Sequence, residues 1–362
     1  MMMKKLFLAA GLAMVAVISA SAQGEPLRGK VLKIDFSSTI GERDQGGLDI
    51  PLGLPIPGTS GTKVSILSLE RALEKARTDK NIAMVYLNYE KLSAGNAQLE
   101  ELRESLRRFS ESGKPVIAYG ATLGNGSYYL ASVADKVFLH PRGSGVLTGL
   151  SSTQFFLKDA LDTLGIEMQL IRHGKFKSAG EMYIRNSMSP ENRRQYEELQ
   201  SSVWDAMLAQ ISASRGVSVE DLRAWMAGLE LGTADTWVEK GLVDGLKYRD
   251  EMEAWICRLF GTDDPDKVAR VDIRQYASKV KAGSGGKVAV LYAEGEISRS
   301  GNEIAGERFA REVEKLRKDP SVKAVVFRVN SPGGEVVAAD MIRREIELLK
   351  KEKPVIASYG SY

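Results

Sequence analysis

The chain has 362 residues, 43% of them hydrophobic and 27% charged, so it can bury more than one core and is not a disordered tail. Fifty Lys and Arg against 47 Asp and Glu leave a net charge of +3, too balanced for a dedicated nucleic-acid binder. The single cysteine, Cys257, excludes an internal disulfide and a cysteine-cluster metal site, and two histidines, His140 and His173, leave little material for zinc.

Residues 1–22 read as an export signal. Lys4 and Lys5 precede an uncharged, mostly apolar run from Leu6 to Ile18, and Ala20-Ser21-Ala22 fits an A-x-A cleavage site before Gln23. Counted to Ala22 the run has 17 residues, the lower bound for a bilayer span, so cleavage is favoured over an uncleaved anchor.

The mature chain is expected to open on a strand, Val31-Leu32-Lys33-Ile34-Asp35-Phe36, followed by a Gly/Pro-rich surface loop from Gly46 to Gly61. Ile66, Leu69, Leu73 and Ala76, spaced by three and four, predict a helix, and a strand follows at Ala83 to Leu87. A second helix carries Leu99, Leu102, Leu106 and Phe109 and leads to strands at Val116 to Tyr119 and Lys136 to Leu139. Such alternation predicts parallel βαβ units. From Ser151 to Phe260 the pattern is largely helical, with helices at Glu191 to Ala213 and Val219 to Met226. One strand-like piece, Met168 to Ile171, precedes the charged turn Arg172-His173-Gly174-Lys175. Gly283-Ser284-Gly285-Gly286 reads as a flexible linker and the best domain boundary.

Beyond the linker the first order returns. Strands are predicted at Val288 to Tyr292, Val325 to Val329 and Val355 to Ser358, separated by helix faces carrying Phe309, Val313 and Leu316, then Ile342, Ile346 and Leu349. Arg77, Asp79 and Ile82 lie 240 residues before Arg317, Asp319 and Val322, and GKPVIAYG ending at Gly120 parallels EKPVIASYG ending at Gly360. This is an internal duplication. The chain thus divides into residues 1–22, a first copy at 23–150, a largely helical middle at 151–282 and a second copy at 287–362. The first copy continues past Gly120 through Asn125 to a further strand, whereas the second reaches Tyr362 two residues after Gly360. The second copy is therefore expected to be incomplete and the sequence to be a fragment.

Two segments offer chemistry. Asn330-Ser331-Pro332-Gly333-Gly334, between a strand and a helix, leaves backbone N–H groups free of side chains near a helix N-terminus, where they can hold an oxyanion. Two glycines there also suit a simple tight turn. The first copy has Asn88-Tyr89-Glu90-Lys91 at that place, which confines the role to the second copy. In Gly174-Lys175-Phe176-Lys177-Ser178-Ala179, a lysine acting as general base must bring its pKa down from about 10.4 by burial or neighbouring positive charge. Phe176, Met182 and Tyr183 are candidates for burial, Arg172, His173 and Lys175 for charge, and a solvated basic loop is the plainer alternative.

Together these segments resemble the signal peptide peptidase A family of bacterial serine proteases in its long, duplicated form, over nearly the whole chain. The most specific match is Gly174 to Ala179 followed by Met188-Ser189-Pro190-Glu191-Asn192-Arg193, which is similar to the family's block around its catalytic lysine. The resemblance implies an α/β fold of duplicated units like those of Clp protease and crotonases. It makes Lys177 the general base of a Ser-Lys dyad, leaves Lys175 without a role, and assigns Gly333 and Gly334 to the oxyanion hole. It places the nucleophilic serine at position 365, beyond the 362 residues, and Asn125 at the equivalent point of a non-catalytic first copy. Ser358 and Ser361 are then structural, His173 is a weaker candidate base, and His140 before Pro141 is a surface turn. The lysine and the oxyanion turn come from different parts of the chain, so the site is expected at an interface, within one chain or between neighbours.

The implied protein is an exported endopeptidase of the cell envelope, at the cytoplasmic membrane facing the periplasm, homo-oligomeric, acting on cleaved signal peptides and other extended apolar peptides. No metal or organic cofactor and no nucleic acid is implied. Two other readings are a non-catalytic scaffold, should the nucleophile be absent, and a crotonase-like acyl-CoA enzyme, disfavoured by export and by the Lys177 block.

Overall fold

A computed structural model describes residues 25–36, 39–43, 64–280 and 285–362. The export segment, the Gly46 to Gly61 loop and Gly283-Ser284 of the linker lie outside the described residues. Two compact units are present: one runs to Ser144 and resumes at Val243, and the other is Gly145–Leu242.

In the first unit, strands β1 (Lys30–Asp35), β4 (Ile82–Asn88), β5 (Val116–Leu123), β6 (Lys136–Gly145), β7 (Gly245–Leu246) and β8 (Arg270–Asp272) form a sheet in the order β7-β6-β5-β4-β1-β8. Helices α1 (Ile66–Thr78), α2 (Asn96–Ser110) and α3 (Asn125–Ala131) connect its strands. Helix α1 starts where Ser65 Oγ accepts the Ser68 N–H at 3.1 Å, and it buries Ile66, Leu69, Ala72, Leu73 and Ala76. After the second unit come α9 (Arg249–Leu259) and α10 (Ile273–Ala277). Met252, Ile256 and Cys257 of α9 bury against Val31, Met84, Ile117 and Phe138 of the sheet, about 1.5–3 kcal/mol for each fully buried aliphatic side chain.

The same unit holds a three-stranded parallel sheet, β13-β12-β9, from β9 (Lys287–Glu294), β12 (Val322–Asn330) and β13 (Val355–Tyr359). Helices α11 (Gly306–Lys318) and α12 (Val336–Leu349) pack on it through Phe309, Val313, Ile342 and Leu349. Short parallel pairs, β2 (Ile40–Gly41) with β3 (Val64–Ser65) and β10 (Ile297–Ser298) with β11 (Ile304–Ala305), precede α1 and α11.

The two parallel sheets have several contacts in common. Val85 pairs with Val116 in the first copy and Val325 with Val355 in the second. Lys114 Nζ donates to the carbonyls of Ala76 and Asp79, at 2.7 Å each, and Lys353 Nζ to those of Leu316 and Asp319. Each lysine satisfies carbonyls at the end of a helix that has run out of intrahelical donors.

The second unit contains α4 (Lys158–Thr163), α5 (Glu181–Ile184), α6 (Pro190–Arg215), α7 (Val219–Ala227) and α8 (Ala234–Glu239). Helix α6 begins on an N-cap, Ser189, with Pro190 in its first turn, and ends at Gly216 with φ 69°. Trp204, Leu208, Ile211, Leu222 and Trp237 make its core, and the Trp237 indole donates to the Leu231 carbonyl at 3.0 Å. The expected strand at Met168 to Ile171 does not form: these residues pair with no described strand, and Ile171 is 98% exposed. Alternating apolar residues make a strand only where a partner satisfies their backbone.

Candidate active site

The turn after β12 is held from two sides. The Ile297 N–H donates to the Gly333 carbonyl and the Glu335 N–H to the Ile297 carbonyl, each at 2.8 Å, which seats the turn on β10. Gly333 has φ 102° and Gly334 φ 155°, and a Cβ on Gly334 would collide with the Ile297 carbonyl, so glycine is required there. The Gly333 N–H donates to Ser331 Oγ at 3.2 Å. The Gly334 N–H donates to no described residue, on an exposed turn that leads into α12. A backbone donor fixed in this way can stabilise developing negative charge.

The residues around this turn have other duties. Asn330 Oδ1 accepts the Tyr362 N–H at 3.0 Å, and the Gly360 N–H donates to the Val329 carbonyl at 2.7 Å. Ser358 Oγ receives the Arg328 guanidinium at 2.9 Å. Ser361 Oγ accepts the Ala97 N–H at 3.0 Å at the start of α2, whose own N-cap residue is Gly95. In the first copy Asn125 is the first residue of α3, directly after β5 and Gly124. The first copy's loop after β4 is closed by Glu90, whose Oε1 accepts the N–H groups of Ala121 and Thr122.

Lys177 lies in the second unit, on the irregular segment between α4 and α5. Its backbone is fixed by two neighbours: Arg172 Nη1 donates to the Lys177 carbonyl at 2.9 Å, and Gln195 Nε2 donates to the Phe176 carbonyl at 2.9 Å. The same Arg172 nitrogen reaches Glu181 Oε1 at 3.0 Å, and Glu181 also receives Ser189 Oγ at 2.6 Å and the Ser189 N–H at 3.1 Å. Burial pushes the Glu181 carboxyl up, but the Ser189 hydroxyl and N–H and the Arg172 guanidinium bring it down to about 2. Arg172 is therefore already compensated and adds no free positive charge beside Lys177.

The two lysines differ. Lys175 pairs with Glu191 at 3.7 Å and lies over the Phe176 ring, whereas the Lys177 amine makes no ion pair or hydrogen bond among the described residues. Lys177 is exposed, and Phe176 and Tyr183, expected to bury it, are 46% and 39% exposed themselves. His173 is exposed in the same segment. His140 stands inside β6 rather than in a turn: its Nδ1 accepts the Arg142 N–H at 3.1 Å and its ring meets Tyr248 edge-on at 5.2 Å.

No local sequence signal marks Glu181 or Gln195 as partners of this segment. Ser189-Pro190 carries a legible N-cap signature, but a glutamate eight residues upstream becomes its partner only through the fold. Among the described residues no group of three His, Cys, Asp or Glu side chains is placed to hold a metal ion, and no helix is long and apolar enough to cross a membrane.

Residues 108–261 match the family model "Peptidase family S49". Over 94% of its length the chain is 32% identical to "Protease 4" of Salmonella typhi, covering 58% of that protein. Over 82% it is 31% identical to "Serine protease SPPA, chloroplastic" of Arabidopsis thaliana, covering 45% of it. The chain thus spans about half the length of these relatives. A solved structure, "1510-N membrane-bound stomatin-specific protease S97A mutant", aligns with 68% of this chain and 97% of its own at a TM-score of 0.36 and 11% identity.

Proposed function

Because the chain belongs to the signal peptide peptidase A family, within peptidase family S49, we propose that the protein it represents is an exported, membrane-associated serine endopeptidase working through a Ser-Lys dyad. The observation that carries this reading is the Gly333–Gly334 turn, where an N–H with no described partner is held on a backbone that tolerates no side chain. In the proposed mechanism a neutral Lys177 takes the proton of a serine at the strand-to-helix turn after β13, the position that Asn125 holds in the first copy. The alkoxide attacks a peptide carbonyl, and the N–H groups of Gly333 and Gly334 with that of the serine hold the tetrahedral oxyanion. The protonated lysine then gives its proton to the leaving amine, and water releases the acyl group. Extended apolar peptides, chiefly cleaved signal peptides, are the proposed substrates, bound by strand addition to a sheet edge, and the working form is a homo-oligomer.

The test uses a full-length protein carrying the serine and a fluorogenic apolar peptide. Lys177→Ala is expected to lower kcat by about a thousandfold or more without changing the assembly seen by light scattering, while Lys175→Ala keeps most activity. Turnover retained in Lys177→Ala removes this lysine as the base. A full-length protein that hydrolyses no peptide at all supports a scaffold instead.

A further inference from the structure

The carboxyl ends of the first sheet border a cavity of about 410 Å³ that has no part in the proposed proteolysis. Open α/β sheets bind ligands at this end of their strands, and the volume lies in the lower part of the roughly 300–1,000 Å³ range of small-molecule sites. Three acids line it; two are paired with cations and the third, Glu90, is engaged by backbone N–H groups and keeps its charge. Asp35, at the end of β1, pairs with Lys33 at 3.3 Å; Glu253 of α9 pairs with Arg270; and Glu90 receives two backbone N–H groups.

Donors remain. Arg249, the first residue of α9, has no ion-pair partner among the described residues, and the hydroxyls of Tyr86 and Tyr119 make no hydrogen bond with them. Asn88 Oδ1 accepts the Glu90 N–H at 3.0 Å, and its amide nitrogen donates to no described residue. Burial holds both phenols above their ordinary pKa, so they are neutral donors at physiological pH. One uncompensated guanidinium fork with neutral donors beside it is matched by a carboxylate, which accepts at both oxygens and neutralises the charge.

We propose that this cavity binds a small ligand with a free carboxylate, up to about the size of a dipeptide. The inference stands apart from the proteolytic reading, since none of its residues belongs to the Lys177 segment or the Gly333–Gly334 turn.

Isothermal titration of the chain with the dipeptide Ala-Leu, its carboxamide, acetate and inorganic phosphate tests this. Saturable one-to-one binding of Ala-Leu is expected, weakened about tenfold or more by amidation or by Arg249→Gln and several-fold by Tyr86→Phe. Ala-Leu binding well above acetate identifies a peptide end as the source of the carboxylate, and equal binding identifies a small free acid. No saturable binding of either carboxylate, phosphate binding in their place, or affinities untouched by both Arg249→Gln and Tyr119→Phe would overturn the assignment. Arg249 is exposed and the Tyr→Phe changes keep the ring, so these variants are expected to fold.

Discussion

Arg328 and Glu42 meet in the interior of the first unit: Arg328 Nε donates to Glu42 Oε2 at 2.7 Å, and the two side chains are 6% and 1% exposed. Arg328 Nη1 also reaches Glu101 Oε1 at 2.6 Å, and Gln98 Nε2 donates to Glu42 Oε1 at 2.9 Å. Burial disfavours the guanidinium charge, but Glu42 and Glu101 more than offset it and hold the Arg328 pKa above its usual value. Strand β12 is thereby tied to Glu42, the residue after β2, and to α2, two residues before the Asn330 that opens the glycine turn.

Removing one partner of this cluster leaves buried charge without compensation. Arg328→Ala is expected to cost about 3–5 kcal/mol of stability, read as a lower urea midpoint. Arg328→Met combined with Glu42→Leu is expected to recover most of that loss. An unchanged midpoint in Arg328→Ala would show that the cluster contributes no net stability.

Glu181 links stability to pH. Its folded pKa is depressed to about 2 from an ordinary 4.5, so its contribution is complete above the unfolded pKa and is lost as pH falls from about 4.5 to 2. Glu181→Gln is expected to lower stability at pH 7 by on the order of 1–3 kcal/mol and to flatten the acid limb of the stability profile. Parallel acid limbs in the variant and the parent would refute the linkage.

The two glycines of the turn are expected to respond differently. Gly334→Ala must displace the Ile297 carbonyl, whereas a Cβ on Gly333 meets nothing within 4 Å and costs only the backbone strain of φ 102°, about 1–3 kcal/mol. In a full-length protein Gly334→Ala should reduce kcat by about a hundredfold or more, with a smaller loss for Gly333→Ala. Equal losses would mean that the Ile297 contact does not set the turn.

Lys114 and Lys353 give a matched pair. Lys114→Met and Lys353→Met each leave two helix-end carbonyls without their ammonium donor and should each destabilise by about 1–3 kcal/mol. A large effect at one site and none at the other would show that the two sheets do not share this support.

Most of the architecture was legible because repeated local patterns survive without knowledge of distant contacts. Ile66, Leu69, Leu73 and Ala76 mark one helix face whatever lies beneath it, and the KPVIA segments lead the same strand in both copies. Met168 to Ile171 misled because a strand needs a neighbour, and the local pattern does not say whether one is present.

By itself, then, the sequence determined the α/β class, the glycine turn and the family resemblance, all of which depend on periodicity and on matching short segments. Only the tertiary structure decided that Lys175 is engaged by Glu191 while the Lys177 amine meets no described partner, that Arg172 is neutralised by Glu181, and that Arg328 is buried against Glu42. These are pairings between residues distant in the chain or indistinguishable in composition. Charge interacts through space, and spacing along the chain does not reveal which opposite charge will arrive beside it.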